Sequence, residues 1–196
     1  MVKIGITGSI GAGKSFVGEL LREKNFQVLD ADRKVHELYR DSQALRQELS
    51  DYFGKDCLTP DGVNSALIAD RIFADASVRE KLEHIVYPYL TESVKKFFDE
   101  GEPAVCKFVE AALFSRAPEL VEMLDEIWIV GAPEEVRLRR LVSRGLSEAD
   151  AMRRIKNQQG ACAPELFSGK KIHALTNDTD RSMLESQLKN LLKGML

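Results

Sequence analysis

The sequence predicts an α/β doubly wound fold with a parallel sheet. Three observations carry that reading. The apolar run VKIGIT at 2–7 ends in glycine-rich sequence, as a central parallel strand does. Further short apolar runs recur along the chain, and the stretches between them keep helical periodicity.

Taken in order, VKIGIT is the first strand, and the helix after it sets Phe16, Val17, Leu20 and Leu21 on one face. QVLD at 27–30 reads as a second, short strand. Residues 31–99 look helical almost throughout, interrupted by turn signals at TPDG (59–62), with Val78, Leu82, Ile85, Tyr89 and Phe97 keeping a period near 3.6. That stretch is too long for a simple crossover and is expected to be an inserted helical subdomain of one domain spanning 1–196. PAVCKFVE (103–110) and EIWIV (126–130) return to strand character, and Pro133 is expected at the first position of a helix. KIHALT (171–176) is the last strand. Asp180 is placed to cap a final helix whose apolar face carries Met183, Leu184, Leu188, Leu191 and Leu192.

Composition narrows the function classes. The 196 residues are 44% hydrophobic and 30% charged, with a net charge of −3, which favours neither a nucleic-acid binder nor a membrane-surface protein. No apolar run approaches the ~20 residues of a membrane span. The N-terminus enters a strand without the basic, apolar and small-residue succession of a signal peptide. Cys57, Cys106 and Cys162 form no C-x-x-C pair, so idle thiols in a reducing cytoplasm are the simplest expectation. No heptad seam advertises a partner, so a monomer or weak oligomer is expected.

Gly8-Ser9-Ile10-Gly11-Ala12-Gly13-Lys14-Ser15 fits G-x-x-x-x-G-K-[ST] at every fixed position, between a strand and a helix. Glycines let backbone N–H groups turn inward, and the helix N-terminus adds its dipole, making an anion site. Lys14 is expected to reach the β- and γ-phosphates of ATP, and Ser15 to bind Mg²⁺. Together with the strand–helix alternation, the octet leads to the expectation of a three-layer P-loop NTPase fold with five parallel strands, a helical insert at 31–99 and a candidate lid at 140–160. Asn177-Asp178-Thr179-Asp180 lacks the lysine of the guanine-reading N-K-x-D, which argues against a GTP switch.

Asp30 and Asp32 stand at the carboxyl end of the second strand, where ligands of such sheets bind. A carboxylate there can orient or deprotonate an acceptor hydroxyl, and equally can cap the following helix. Between 137 and 171 lie nine basic and three acidic residues. This stretch is either a solvated helical face or a lid bringing arginines over the phosphates. Arg140 and Arg144 fall four apart, and Gly145-Leu146-Ser147 breaks one helix and caps the next.

With these parts in line, the chain resembles the dephospho-CoA kinase family over essentially its whole length. GITGSIGAGKS looks like the family's start, VLDADRKVHEL like its D-A-D segment, and FGKDCLTPDGVNSALIADRIFAD like its helical stretch. RLVSRGLS followed by RRIKNQ resembles its R-x-x-x-R lid and the R-[IM]-x-x-Q after it, and HALTNDTD its closing strand. The resemblance implies ATP and dephospho-CoA as substrates, with Asp32 as base for the ribose 3′-hydroxyl. Lys14, Arg140 and Arg144 would then act on the phosphates and Asn177 near the adenine, while Phe16 lies in the ATP-binding stretch. His36, Tyr87 and Glu110 would contact the acceptor, and the insert would be the acceptor-binding subdomain. The sequence departs from the family at Phe16 (usually threonine), Ser65 (commonly arginine), Tyr87 (usually histidine before Pro88) and Ser115, which supplies no carboxylate. A nucleoside or nucleotide kinase of the same architecture, and a non-catalytic ATP-binding regulator, are the alternatives.

Overall fold

The computed structural model describes residues 1–101, 104–112, 114–178 and 180–193, with the side chains at 73, 74, 76 and 115 outside that description. The chain divides into two compact units, one made of Met1–Asp30 with Glu100–Leu196 and the other of Ala31–Asp99.

The first unit is built on five parallel strands, β1 (Val2–Thr7), β2 (Val28–Asp30), β5 (Cys106–Glu110), β6 (Glu126–Gly131) and β7 (Lys171–Thr176), in the order β2-β5-β1-β6-β7. β1 is central because its apolar run satisfies neighbours on both sides, pairing Ile6 with Glu110 of β5 and with Trp128 of β6. One face of the sheet receives α1 (Lys14–Glu23) and α9 (Arg181–Lys193). Val17, Leu20 and Leu21 of α1 and Leu184, Leu188 and Leu192 of α9 pack there against Ile4, Ile6, Phe108, Trp128, Val130 and Leu175. Trp128, the only tryptophan, is fully buried, with Phe108 at 5.2 Å and His173 at 6.4 Å meeting its ring edge-on.

The first turn of α9 corrects one expectation. Met183 is 56% exposed, because the buried stripe repeats every four residues from Leu184 and leaves Met183 one position off it. Asp180 caps the helix, accepting from the Met183 N–H at 3.0 Å, and that bond together with the Ser182 hydroxyl holds its carboxyl below the usual range. Pro133 stands one residue outside α7 (Glu134–Ser143) as its N-cap rather than at the first helical position. β5 begins at Cys106, so only the last five residues of PAVCKFVE are strand, and Pro103 lies outside the described residues.

The opposite face of β1 is tight at its middle. A Cβ on Gly5 would meet Leu124 at 2.6 Å and Ile127 and Phe114 at 3.0 Å. Gly5→Ala should therefore cost about 1–3 kcal/mol of stability through overpacking, read as a lower midpoint in urea with an unchanged slope.

The second unit comprises α2 (Ala31–Asp41), α3 (Gln43–Phe53), β3 (Leu58–Thr59), β4 (Gly62–Val63), α4 (Ser65–Ala74) and α5 (Ala76–Asp99). TPDG does more than interrupt the helices: it closes an antiparallel hairpin in which Leu58 pairs with Val63. Leu45, Leu49, Phe53, Cys57, Ile68, Ile85 and Val86 form this unit's own core, joined by Val78, Leu82 and Tyr89. Late in α5 the stripe continues through Leu90, Val94 and Phe98, so Phe98 rather than Phe97 is the buried aromatic. Burial pushes the Tyr39 hydroxyl up to about 12.

Candidate functional site

The loop 8–13 leaves β1 and delivers the chain into α1. Gly11 and Gly13 take φ of +78° and +97°, and a Cβ on Gly13 would lie 2.1 Å from Asn177 Nδ2, so only glycine fits there. Gly13 also caps α1 and, being glycine, brings no side chain of its own onto the helix's first N–H groups. A helix N-terminus of this kind, with the helix dipole behind it, suits an anion.

The loop's carbonyls are held from behind. Asn177, buried just after β7, donates through Nδ2 to the Ala12 carbonyl at 2.7 Å. Its Oδ1 accepts from Arg140 Nη2 at 3.2 Å, while Arg140 Nη1 donates to the carbonyls of Gly11 (3.2 Å) and Ala12 (3.3 Å). Across a planar trans peptide the N–H of Gly13 points opposite to the Ala12 carbonyl, so drawing that carbonyl back aims this N–H forward. Burial, followed by the neighbouring charges of Arg144 and Arg139, lowers the Arg140 pKa from its ordinary value.

The expected lid residues form α7, then a turn at Gly145 with φ +93°, then α8 (Glu148–Asn157), whose N-cap Ser147 accepts from the Asp150 N–H. Arg140 lies within α7 on the loop, whereas Arg144 is its C-cap. The Arg144 guanidinium is exposed, has no hydrogen bond or ion pair with the described residues, and lines the cavity of about 220 Å³ in front of the loop. Arg139, Arg153, Arg154 and Lys156 face solvent. A second cavity beside the first is lined by Gly13, Phe16, Arg140, Asn177 and Arg181. Phe16 is half-buried against the core, with the Arg181 guanidinium 5.8 Å from its ring centre.

Glu110 ends β5, one strand over from β1, and is only 1% exposed. Its Oε1 accepts from Ser15 Oγ at 2.5 Å and stands 3.5 Å from Lys14 Nζ. Its Oε2 is buried without a hydrogen-bond partner among the described residues. A Cβ on Gly18 would reach that oxygen at 2.6 Å, so this glycine permits the approach of α1. The resemblance assigns Glu110 to the acceptor. The structure sets its side chain against Ser15 and Lys14, the two residues assigned to the metal and the phosphates. The signal was present as an acid at the carboxyl end of a strand, but the adjacency of β5 to β1 was needed to use it. Asp30, at the end of β2, is the register partner of Glu110.

A hydroxyl and a carboxylate with one unpartnered oxygen are hard oxygen donors of the kind Mg²⁺ takes alongside water and phosphate, and the adjacent anion site would hold that phosphate. Ser15 and Glu110 therefore fit a magnesium ion.

Asp32, His36, Ser65 and Tyr87 belong to the second unit. Asp32 is in the first turn of α2, and His36 follows one turn later, its ring 6.3 Å from that of Tyr39. Tyr87 is half-buried within α5 beside Pro88, and Ser65 is the exposed first residue of α4, after its cap Asn64. Ser115 has no described side chain. Gln158, immediately after α8, is the glutamine of the R-[IM]-x-x-Q resemblance, to which no role was given, and its Oε1 accepts from the Ile10 N–H of the loop at 2.7 Å.

Comparison with known proteins agrees with this architecture. The family model described as dephospho-CoA kinase matches residues 2–166. A dephospho-CoA kinase of Corynebacterium efficiens is 37% identical over 165 residues, covering 81% of this chain and 80% of that protein. Among solved structures, the Thermus thermophilus protein TT1252 superposes with a TM-score of 0.79 at 29% identity, over 100% of this chain and 98% of that one. The dephospho-CoA kinase of Campylobacter jejuni shares the fold, with a TM-score of 0.66 at 20% identity over 97% of this chain and 95% of that one. The loop bordered by Lys14 and Ser15, the strand-end Glu110 and the match across 2–166 make the chain a member of the dephospho-CoA kinase family.

Proposed function

We propose that the protein transfers the terminal phosphoryl group of ATP to the 3′-hydroxyl of dephospho-CoA, giving coenzyme A and ADP. The observation that carries this is the loop with its carbonyls drawn back by Asn177 and Arg140 where it enters the N-terminus of α1, in a chain of this family. Such a loop is organised for phosphates before they arrive, and phosphoryl transfer is catalysed largely by positioning and electrostatics.

Lys14 takes the β- and γ-phosphates, and the exposed Arg144 supplies charge from the side of the cavity facing the loop. Arg140 holds the loop from behind and lends its charge through it. Ser15 and Glu110 hold Mg²⁺, which when bound draws charge from the phosphate oxygens. The backbone of 8–13, with Gly8, Ser9, Ile10, Gly11, Ala12 and Gly13, cradles the phosphates. Asn177 and Phe16 border the cavity assigned to the nucleoside. Asp32 accepts the proton of the acceptor hydroxyl, and His36 and Tyr87 contact the acceptor within the insert 31–99. No helix of the described residues is long and apolar enough to cross a membrane, and the three cysteines are free thiols, which fits a reducing cytoplasmic setting.

A coupled assay of ADP release from Mg-ATP, run with dephospho-CoA and with a panel of nucleosides and nucleoside monophosphates, tests the assignment. Release is expected to depend on dephospho-CoA. Preference for a nucleoside monophosphate would make this a nucleotide kinase of the same fold, and no acceptor-dependent release would make it a binding protein.

A further inference from the structure

The helix pair α7–α8 does not hang free of the phosphate loop. Ile10, the third residue of the loop's motif, engages it twice. Its side chain packs with Leu141, Ala151 and Ile155, the buried centre of the pair, and its N–H donates to Gln158 Oε1 at 2.7 Å. Ile10 and Gln158 both line the cavity that also takes in Gly13, Lys14 and Ser15. An inward N–H of such a loop is a natural donor to a phosphate oxygen, and here a neutral amide oxygen is already on it.

We propose that Gln158 is a positioning residue that stands in for a phosphate oxygen on the Ile10 N–H and is displaced when nucleotide phosphates enter. An anionic oxygen makes a shorter and stronger bond to an N–H than a neutral amide does, so the exchange runs toward the nucleotide. Because Gln158 directly follows α8, its release passes occupancy of the loop to the helix pair that carries Arg140 and Arg144. The inference rests on reading the loop as the ATP site and makes no use of the acceptor.

Gln158→Leu keeps the bulk of the side chain and removes the competing acceptor. By calorimetric titration it should bind ATP about three- to tenfold more tightly than the wild type, the scale of one hydrogen bond no longer given up. Inorganic tripolyphosphate should show the same order. Gln158→Glu sets a negative oxygen against the incoming phosphates and should weaken ATP about tenfold or more. Unchanged or weaker ATP binding by Gln158→Leu, in a variant with wild-type circular dichroism, would overturn the proposal. If that variant does not fold, a crystal structure of the wild type with a non-hydrolysable ATP analogue decides. Gln158 Oε1 more than about 3.5 Å from the Ile10 nitrogen supports exchange, and a retained bond refutes it. Wild-type turnover with dephospho-CoA, measured alongside, shows separately whether the acceptor reading fails.

Discussion

An Asp32→Asn variant should bind Mg-ATP as the wild type does and turn over dephospho-CoA about a hundred to ten thousand times more slowly, the span attributed to general-base catalysis. The substitution keeps size and hydrogen-bonding capacity while removing the group that takes the proton. Asp32 is in the first turn of α2, a position equally suited to a purely capping or dipole-stabilising acid. The two roles separate cleanly: loss of a helix-terminal charge lowers the melting temperature and leaves kcat alone, whereas loss of a base lowers kcat with the fold intact. Single-turnover rates with ATP titrated independently make the distinction, and near-normal turnover would remove Asp32 from the reaction.

The second large effect belongs to Lys14. Lys14→Met should lower kcat/KM by about a hundred- to a thousandfold, the loss found when one preorganised donor to developing charge is deleted. The same change takes the cation away from the buried Glu110, 3.5 Å from the Lys14 ammonium, so the melting temperature should also fall. A double variant, Lys14→Met with Glu110→Gln, removes that buried charge as well. It should recover much of the thermal stability and none of the activity, as read by scanning calorimetry beside the ADP-release assay. Recovery of turnover in the double variant would mean that Lys14 acts only by neutralising Glu110.

The parts legible from residues alone are those whose cause is local. VKIGIT running into Gly8, EIWIV and KIHALT each carry strand character in their own composition, and the octet 8–15 carries its chemistry in its spacing. The parts that were not legible depend on which strands become neighbours. Glu110 meets Ser15 because β5 adds beside β1, a contact across 95 residues. Asn177 and Arg140 converge on Ala12 because β7 and α7 end on the same side of the loop. Such convergence is set by sheet order, which periodicity does not encode. Met183 is exposed for a smaller reason: it is one position from a buried neighbour, and the apolar pattern alone does not choose between adjacent large side chains.

Trp128 has a practical consequence. It lies fully buried in the sheet of the first unit, while all four tyrosines, Tyr39, Tyr52, Tyr87 and Tyr89, lie within 31–99. The two units therefore carry different intrinsic chromophores. Emission excited at the red edge reports only on the sheet around β6, and tyrosine absorbance reports only on the helical insert. Loosening of one unit can be followed in the unlabelled protein without confusing it with loosening of the other.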